Sequence, residues 1–169
     1  MAYYRIVYTT RTRTTARIAE RLAVRLRSQG QRAVACTLAT SPQAELGERL
    51  VIASPVNGMK VLPEFALYCR ELVRSAVPVF GIFLVSAIAP TGRRFWRRIM
   101  EAELARYTRM IGAKASHIFG GYLDRPMPAP ARFIFGLKRD LPLDQVDENA
   151  IDAWADSLIA TESGDAVST

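Results

Sequence analysis

A hydroxyl-rich loop joins the first apolar run of the chain to its first amphipathic segment. The apolar run covers 3–9 and the amphipathic pattern begins near Thr14, so the loop reads Thr10-Arg11-Thr12-Arg13-Thr14-Thr15. Backbone N–H groups converge where a helix starts, and the helix dipole adds about half a positive charge, so loops of this kind hold phosphate in α/β proteins. The sequence therefore predicts a strand, an anion-binding loop and a helix in direct succession.

Strand-like and helix-like segments alternate along the rest of the chain. The predicted strands cover 3–9, 32–38, 50–54, 78–87 and 115–122, and the predicted helices cover 14–29, 62–75, 93–111 and 147–160. The run 78–87 is apolar on both faces, as a central parallel strand is. This alternation implies an α/β fold with a doubly wound parallel sheet and helices on both faces. Ligands of such sheets bind at the carboxyl ends of the strands, beside the first strand.

The length of 169 residues suits a single domain, which we expect over 1–162, with a small polar tail at 163–169. A stretch rich in proline and aromatic residues, 123–143, stands as an insertion before the last helix. It has two interpretations. It is either an irregular loop that covers the end of the sheet, or a lid or docking segment that presents aromatic and basic residues to a membrane surface or a partner.

The net charge of +7 comes almost wholly from arginine. Arginine favours phosphate and carboxylate partners, to which it bonds in a bidentate way. The densest cluster is Arg93-Arg94-Phe95-Trp96-Arg97-Arg98, in which helical spacing places Trp96 on the core side with Met100. Together with Arg11 and Arg13 this cluster could build one positive field for an anionic partner, and a solvated basic face is the alternative. No motif for specific nucleic-acid binding is present.

Few residues suit catalysis by a side chain or a metal. Cys36 and Cys69 are expected to be reduced core residues, and the single histidine, His117, lies within a predicted strand. We therefore predict no catalytic side chain and no metal ligand. No apolar run reaches the ~18 residues of a membrane span, and the first residues lack the pattern of a signal peptide. These features favour a cytoplasmic protein, with contact to the inner membrane face through 123–143 left open.

Three loops, in this order, resemble those of the flavodoxin family. Thr10, Thr12 and Thr15 follow the family spacing S/T-x-T-G-x-T, with Arg13 in the place of the glycine. The second loop reads Val51-Ile52-Ala53-Ser54-Pro55, then Gly58 and Pro63-x-Phe65, and the third reads Ala87-Ile88-Ala89-Pro90-Thr91-Gly92. The resemblance covers about 2–122 and the last helix. It implies a flavodoxin-like sheet of five parallel strands in the order 2-1-3-4-5.

The resemblance also implies that the chain binds FMN. By analogy with the family, the cofactor-binding residues are Thr10, Arg11, Thr12, Arg13, Thr14 and Thr15 at the phosphate, with Ser54, Pro55, Val56, Asn57 and Gly58 on one side of the flavin and Ala89, Pro90, Thr91 and Gly92 on the other. Within the family the chain is similar to the protoporphyrinogen dehydrogenases in its Thr10-Arg11 pair and in the place of its insertion. That likeness implies removal of hydrogen from a tetrapyrrole, with electrons passed to a quinone or another redox partner.

Two departures leave an alternative open. The second and third loops offer no aromatic side chain to stack on a flavin, and a side chain at Arg13 could either block the phosphate or pair with it. The chain is thus either an FMN-dependent oxidoreductase or electron carrier, or a related domain that has lost FMN. In the second case Thr12 or Thr14 is simply a helix N-cap. The arginine-rich end would then hold an anionic partner.

Overall fold

Five parallel strands form the centre of the fold. The structure, a computed structural model, describes residues 1–41, 47–89, 91–123, 126–138 and 143–165. Its strands are β1 (Tyr3–Tyr8), β2 (Arg32–Thr37), β3 (Arg49–Asn57), β4 (Lys60–Val61), β5 (Val79–Ser86) and β6 (Ala115–Gly120). Its helices are α1 (Thr14–Ser28), α2 (Pro63–Arg74), α3 (Arg94–Ile111), α4 (Ala129–Phe135) and α5 (Glu148–Asp165), and a single 3-10 turn covers Leu38–Thr40.

The sheet has the order β2-β1-β3-β5-β6, and all four pairings along it are parallel. This is the predicted order 2-1-3-4-5 when the five parallel strands are counted, so the predicted fold class is confirmed. β4 adds a short antiparallel pairing to the end of β3, through Val56 with Val61 and Asn57 with Lys60. Because β1 lies inside the sheet, the loop after it opens between β2 and β3, where the strand order reverses.

Two apolar layers cover the two faces of the sheet. On one face, the helical spacing of the sequence predicts an apolar stripe of α1, and its members are fully buried with residues of α5: Ile18, Ala19, Leu22 and Leu26. On the other face α2 and α3 bury a second cluster that includes Phe65, Cys69, Leu72, Leu104 and Tyr107. Every residue of β5 is buried, as its two-sided apolar pattern predicts.

Several boundaries and positions differ from the predictions. β3 does not end at Ser54-Pro55 but continues to Asn57, because its last residues pair with β5 on one side and with β4 on the other. Helical spacing predicts Val73 on the buried side of α2, but it is 48% exposed at the end of that helix. The 123–143 insertion contains a helix, α4, and its residues 124–125 and 139–142 lie outside the described residues. So do 166–169 of the predicted tail.

A ladder of ion pairs joins α1 to α5. Arg17 lies 2.6 Å from Asp144, just before α5, and Arg21 and Arg25 each bind one carboxylate of α5 through two hydrogen bonds. Arg21 forms an ion pair with Asp152, and Arg25 forms one with Asp156. Acidic residues near the start of α5 also complement its dipole. Ion pairs therefore connect the exposed sides of α1 and α5, in addition to the apolar contacts between these helices.

The remaining residues considered for chemistry lie away from any shared site. Cys36 and Cys69 are both free thiols, and burial raises the pKa of Cys69 to about 12. His117 packs between Phe119 and Trp154, and burial lowers its pKa. Among the described residues, no three His, Cys, Asp or Glu side chains form a potential metal site. Across the same residues, none of the helices combines the length and apolarity that a membrane span requires.

Candidate functional site

The loop between β1 and α1 ends in a left-handed residue directly before the helix. Arg13 is the residue before the first turn of α1, and its backbone is left-handed, with φ 63°. Glycine adopts this conformation without cost, whereas an L-residue with a side chain does so at some strain. Arg13 thus occupies the N-cap position predicted for Thr12 or Thr14, and no side chain caps the helix. The exposed side chain of Arg13 does not fill the loop.

Two hydroxyls of this loop are buried without a partner. Within the described part of the chain, Thr10 Oγ1 and Thr15 Oγ1 have no hydrogen-bond partner, and Thr15 is 1% exposed. Thr12 Oγ1 and Thr14 Oγ1 lie 3.2 Å apart and share one hydrogen bond. The first turn of α1 contains no acidic residue, and no side chain caps the helix. The free N–H groups of this turn therefore remain available to a ligand. The loop therefore offers donors that a bound anion could use.

The hairpin β3–β4 forms the second wall. The Ser54 hydroxyl accepts a hydrogen bond from the Leu62 amide at 3.3 Å and donates one to the Pro55 carbonyl at 2.9 Å, which fixes the base of the hairpin. Gly58 and Met59 form its tip with φ 56° and 66°. Two successive left-handed residues are typical of the tight hairpin turns that suit the twist of a sheet. The predicted segment 54–58 is thereby held as one rigid edge.

The loop after β5 is shaped by Ser86. Its hydroxyl accepts hydrogen bonds from the amides of Ile88 and Ala89, both at 3.2 Å. Gly92 donates to the Ile88 carbonyl at 2.7 Å, and a Cβ on Gly92 would lie 2.7 Å from that same oxygen, so only glycine fits this closed turn. The predicted residue Pro90 lies outside the described residues.

A cavity of about 420 Å³ opens between these walls at the carboxyl end of the sheet. Seven of the predicted residues line it: Arg11, Thr12, Thr14, Pro55, Val56, Asn57 and Gly58. Seven described residues of the prediction do not line it: Thr10, Arg13, Thr15, Ser54, Ala89, Thr91 and Gly92. Instead of the predicted 89–92, the residues that line the cavity here are 85–88, at the end of β5 and the start of the loop. The turn that the Ser86 hydroxyl stabilises follows directly after them.

A third part of the cavity wall comes from Tyr122, which follows β6, and from the insertion, and sequence reasoning assigned neither to the site. Tyr122, Leu123, Met127 and Phe135 line the cavity on that side, and Met59 and Met100 complete its apolar surface. The aromatic side chains that the second and third loops lack are thus present in Tyr122 and Phe135. The only signal in the sequence is the aromatic content of 123–143, because the folding of this segment onto the cavity depends on contacts distant along the chain.

Two hydrogen bonds and a ring contact hold α4 against the start of α3. The Arg93 amide donates to the Phe135 carbonyl and the Trp96 indole donates to the Ile134 carbonyl, both at 2.8 Å. The rings of Trp96 and Phe135 meet edge to face with centroids 5.1 Å apart. Trp96 was predicted to pack in the core with Met100, and this is wrong. Its half-exposed ring instead anchors the insertion, since α4 covers the helix at that point.

Gln145 ties the end of the insertion to the other loops. Its side-chain amide donates to the Ala87 carbonyl at 2.8 Å, and its backbone amide donates to the Gly121 carbonyl at 3.0 Å. Thr91 Oγ1 donates to Gln145 Oε1 at 3.3 Å. The loop after β5 and the wall that carries Tyr122 are therefore fixed relative to each other by one side chain, which keeps the cavity open between them.

Comparison with known proteins places this arrangement in context. A family model described as a flavodoxin domain matches residues 5–129. Similar solved structures include a short-chain flavodoxin associated with a bacterial microcompartment, which is 13% identical with a TM-score of 0.61 and 95% and 99% of the two chains covered. A flavodoxin of Streptococcus pneumoniae TIGR4 is 18% identical, with a TM-score of 0.60 and coverage of 94% and 99%.

An NADH:FMN oxidoreductase, EMOB, in its apo form is 11% identical, with a TM-score of 0.59 and coverage of 94% of this chain and 88% of that chain. No curated protein matches the sequence significantly. At these identities the likeness to solved structures establishes the fold, and the family model extends over the first two walls of the cavity and into the insertion.

Proposed function

The chain belongs to the flavodoxin domain family, and on that premise we propose that it binds FMN at the carboxyl end of its sheet and transfers electrons through it. When bound, FMN supplies the redox chemistry, and the protein binds it, orients it and tunes its potential. The residues described above would hold its phosphate in the first loop and its ring system in the cavity. The protein would act as an oxidoreductase or an electron carrier.

The buried hydroxyls of Thr10 and Thr15 carry this proposal. A buried polar group without a partner costs about 1–3 kcal/mol, so two such hydroxyls in one loop favour a ligand that bonds to both. Thr15 lies in the first turn of α1, where the helix dipole and the free N–H groups attract an anion, and Thr10 lies in the loop that leads to it. A phosphate group there would accept hydrogen bonds from both, and from the amides of the loop.

The left-handed backbone at Arg13 supports the same conclusion. The loop adopts the conformation that the family's glycine allows, so the substitution does not prevent the backbone from closing on a phosphate. The exposed guanidinium would then add charge beside the phosphate instead of blocking it. Of the two roles open to Arg13, pairing with the phosphate therefore fits the loop better than exclusion of it.

Tyr122, which follows β6, and Phe135 of the insertion would supply the aromatic contact to the flavin. Both side chains line the same cavity as the hairpin segment 55–58, so a planar ring bound there could contact either of them. Stacking on an aromatic ring contributes roughly 0.5–1.5 kcal/mol beyond area burial. This arrangement offsets the absence of aromatic residues in the second and third loops.

As the substrate class we propose a tetrapyrrole of the protoporphyrinogen type, with a quinone or another redox partner as the electron acceptor. The support lies in the chemistry of the cavity, whose lining combines apolar side chains with one arginine, Arg11. A flat apolar molecule with propionate groups matches that combination, because its ring would contact the apolar wall and a propionate would meet the cation.

Titration of the purified protein with FMN tests the central proposal. We expect the flavin fluorescence to be quenched on binding, and riboflavin, which lacks the phosphate, to bind more weakly. Thr15→Val should raise the Kd for FMN by at least about tenfold, because a hydrogen bond to a charged group is lost. It should leave the Kd for riboflavin unchanged. It should also leave the free energy of unfolding of the flavin-free protein unchanged or raised, since this hydroxyl has no protein partner.

Thr108→Val is a matched control, because Thr108 Oγ1 donates to the Leu104 carbonyl within α3, far from the first loop. It should leave both Kd values unchanged. A protein that quenches no flavin at excess FMN contradicts the proposal, as does a Thr15→Val variant that binds FMN as tightly as wild type does.

A further inference from the structure

An exposed patch of apolar and basic side chains lies beside the cavity, where α3 meets α4. We define this basic-aromatic patch by its apolar members Phe95, Phe133 and Ile134 and its basic members Arg93, Arg94, Arg97, Arg98 and Lys138. We propose that it binds the surface of a lipid bilayer that contains anionic lipids.

The apolar members of the patch are exposed to solvent, although contacts with Trp96 connect them to one another. Phe95 is 64% exposed, Phe133 is 75% exposed and Ile134 is 52% exposed. Trp96 connects them, because its ring lies 5.1 Å from that of Phe95 while its indole binds the Ile134 carbonyl. The Arg93 guanidinium lies 5.2 Å from the centre of the Phe133 ring. Three large exposed apolar side chains grouped in this way mark an interaction surface.

The charge of the patch has one sign. The segments 91–100 and 126–138 contain no Asp or Glu, and all five basic members are exposed. Within the described residues none of them forms an ion pair. Two arginines also stand at the first turn of α3, where the helix dipole disfavours positive charge. A partner that carries negative charge would relieve this arrangement.

A bilayer fits both properties at once. Aromatic and aliphatic side chains insert at the boundary of headgroups and acyl chains, while adjacent arginine and lysine residues bind anionic headgroups. An acidic protein would match the charge, but it would have to provide a groove for three protruding apolar groups. The patch is also preformed, because α4 is held on α3 by two backbone acceptors, so docking requires no further folding.

Docking in this orientation would bring the cavity near the membrane, since Phe135 lines the cavity and lies next to Ile134. An apolar electron acceptor dissolved in the bilayer could then reach the site. This consequence rests on the proposed function, whereas the membrane contact itself does not require FMN. The two proposals can therefore fail independently.

Co-sedimentation of the full chain with vesicles tests the contact. We expect binding to vesicles of phosphatidylcholine mixed with phosphatidylglycerol, little binding to phosphatidylcholine alone, and release as the salt concentration rises. Arg94→Glu/Arg97→Glu should lower the partition coefficient by at least about twentyfold, because each basic residue near an anionic surface contributes about fivefold. Glutamate at the first turn of α3 also suits the helix dipole, so this variant should fold.

Two matched controls separate the patch from general effects. Arg70→Glu/Arg74→Glu makes the same change in net charge on exposed residues of α2 and should retain far more binding. Phe133→Ser/Ile134→Ser should weaken binding even at low salt, whereas Leu67→Ser/Val73→Ser, on exposed residues of α2, should not.

Three results would overturn the proposal. They are equal binding to both vesicle types, equal losses in the patch variants and their controls, and a wild-type protein that stays in the supernatant with anionic vesicles. In the last case, an acidic protein would become the better candidate for the partner.

Discussion

The arginines of α1 and those around the cavity lie in different surroundings. Along α1, Arg17, Arg21 and Arg25 face Asp144, Asp152 and Asp156 at 2.5–2.7 Å. Around the cavity and the patch, six arginines form no ion pair with any acidic residue that the structure describes: Arg11, Arg13, Arg93, Arg94, Arg97 and Arg98. The net charge of +7 is therefore not spread evenly over the molecule.

This difference separates two uses of one residue type. The paired arginines connect two helices and leave little charge for a ligand, because each guanidinium is neutralised by a carboxylate. The unpaired arginines lie at the carboxyl end of the sheet, where the first loop already offers donors to an anion. Composition alone left an anionic partner and a solvated basic face both open, and the structure shows which arginines are paired with described carboxylates.

The strongest test concerns a further paired arginine, Arg5 of β1, which is buried. Arg5 and Glu48 form an ion pair in which the two residues are 4% and 8% exposed. Glu48→Leu should lower the free energy of unfolding by about 3–5 kcal/mol, because it leaves a buried guanidinium without its carboxylate. Chemical denaturation measures this loss. The double variant Arg5→Met/Glu48→Leu should recover most of the stability, since it removes both charges together.

Asp156→Leu provides the comparison on the surface. Asp156 pairs with Arg25, but its side chain is 47% exposed, so its removal should have a much smaller effect than that of Glu48. If Glu48→Leu and Asp156→Leu lowered the free energy of unfolding equally, burial would not make the Arg5–Glu48 pair more important for stability than the exposed pair.

Arg13 provides the test of the unpaired group. Arg13→Gly should raise the free energy of unfolding by about 0.5–1 kcal/mol, because glycine adopts the left-handed backbone without strain. The same variant should weaken FMN binding, since it removes a cation beside the phosphate. Arg13→Ala should weaken FMN binding equally without the gain in stability. Denaturation and fluorescence titration measure the two effects separately.

Ala76→Gly is the matched control for strain. Ala76 also has a positive φ, 51°, but it follows α2 and lies away from the cavity. This variant should gain similar stability and leave the Kd for FMN unchanged. An Arg13→Gly variant that bound FMN more tightly than wild type would mean that the side chain obstructs the phosphate.

Much of the fold could be predicted because its signals are local. The apolar stripe of α1 and the two-sided apolar run of β5 each lie within one element, and the order of elements then restricts the topology. In the two loops after β1 and β3, several residues predicted to bind the cofactor line the cavity: Arg11, Thr12, Thr14 and 55–58. Their positions follow from the ends of strands that are themselves readable in the sequence.

The third wall could not be predicted because it depends on contacts between distant segments. Trp96 has the helical spacing of a core residue, and only the folded insertion, 38 residues further along, explains its half-exposed position. Phe135 enters the cavity wall for the same reason. The backbone of Arg13 is a second case, since arginine itself gives no signal for a left-handed conformation and the loop imposes it.

Acid should reduce the stability that the ion pairs of α1 contribute, and it should leave the contribution of the unpaired arginines unchanged. This is the smallest effect that we expect. A hydrogen bond from Arg17 lowers the pKa of Asp144, and one from Arg21 lowers the pKa of Asp152. Since the folded pKa of each carboxyl lies below its unfolded value of about 3.9, the stability that it contributes is fully present above that value. It is lost as the pH falls through the folded pKa.

Urea denaturation from about pH 6 to about pH 3 measures this dependence. The difference in unfolding free energy between wild type and Asp144→Asn/Asp152→Asn should shrink over the acidic part of this range, because protonation removes the same charges that the variant lacks. Arg94→Gln should differ from wild type by a constant amount across the range, since Arg94 pairs with no described carboxylate. A constant difference for the double variant would instead mean that the ladder between α1 and α5 contributes nothing to stability through charge, and the contrast between the two groups of arginines would then rest on the buried pair alone.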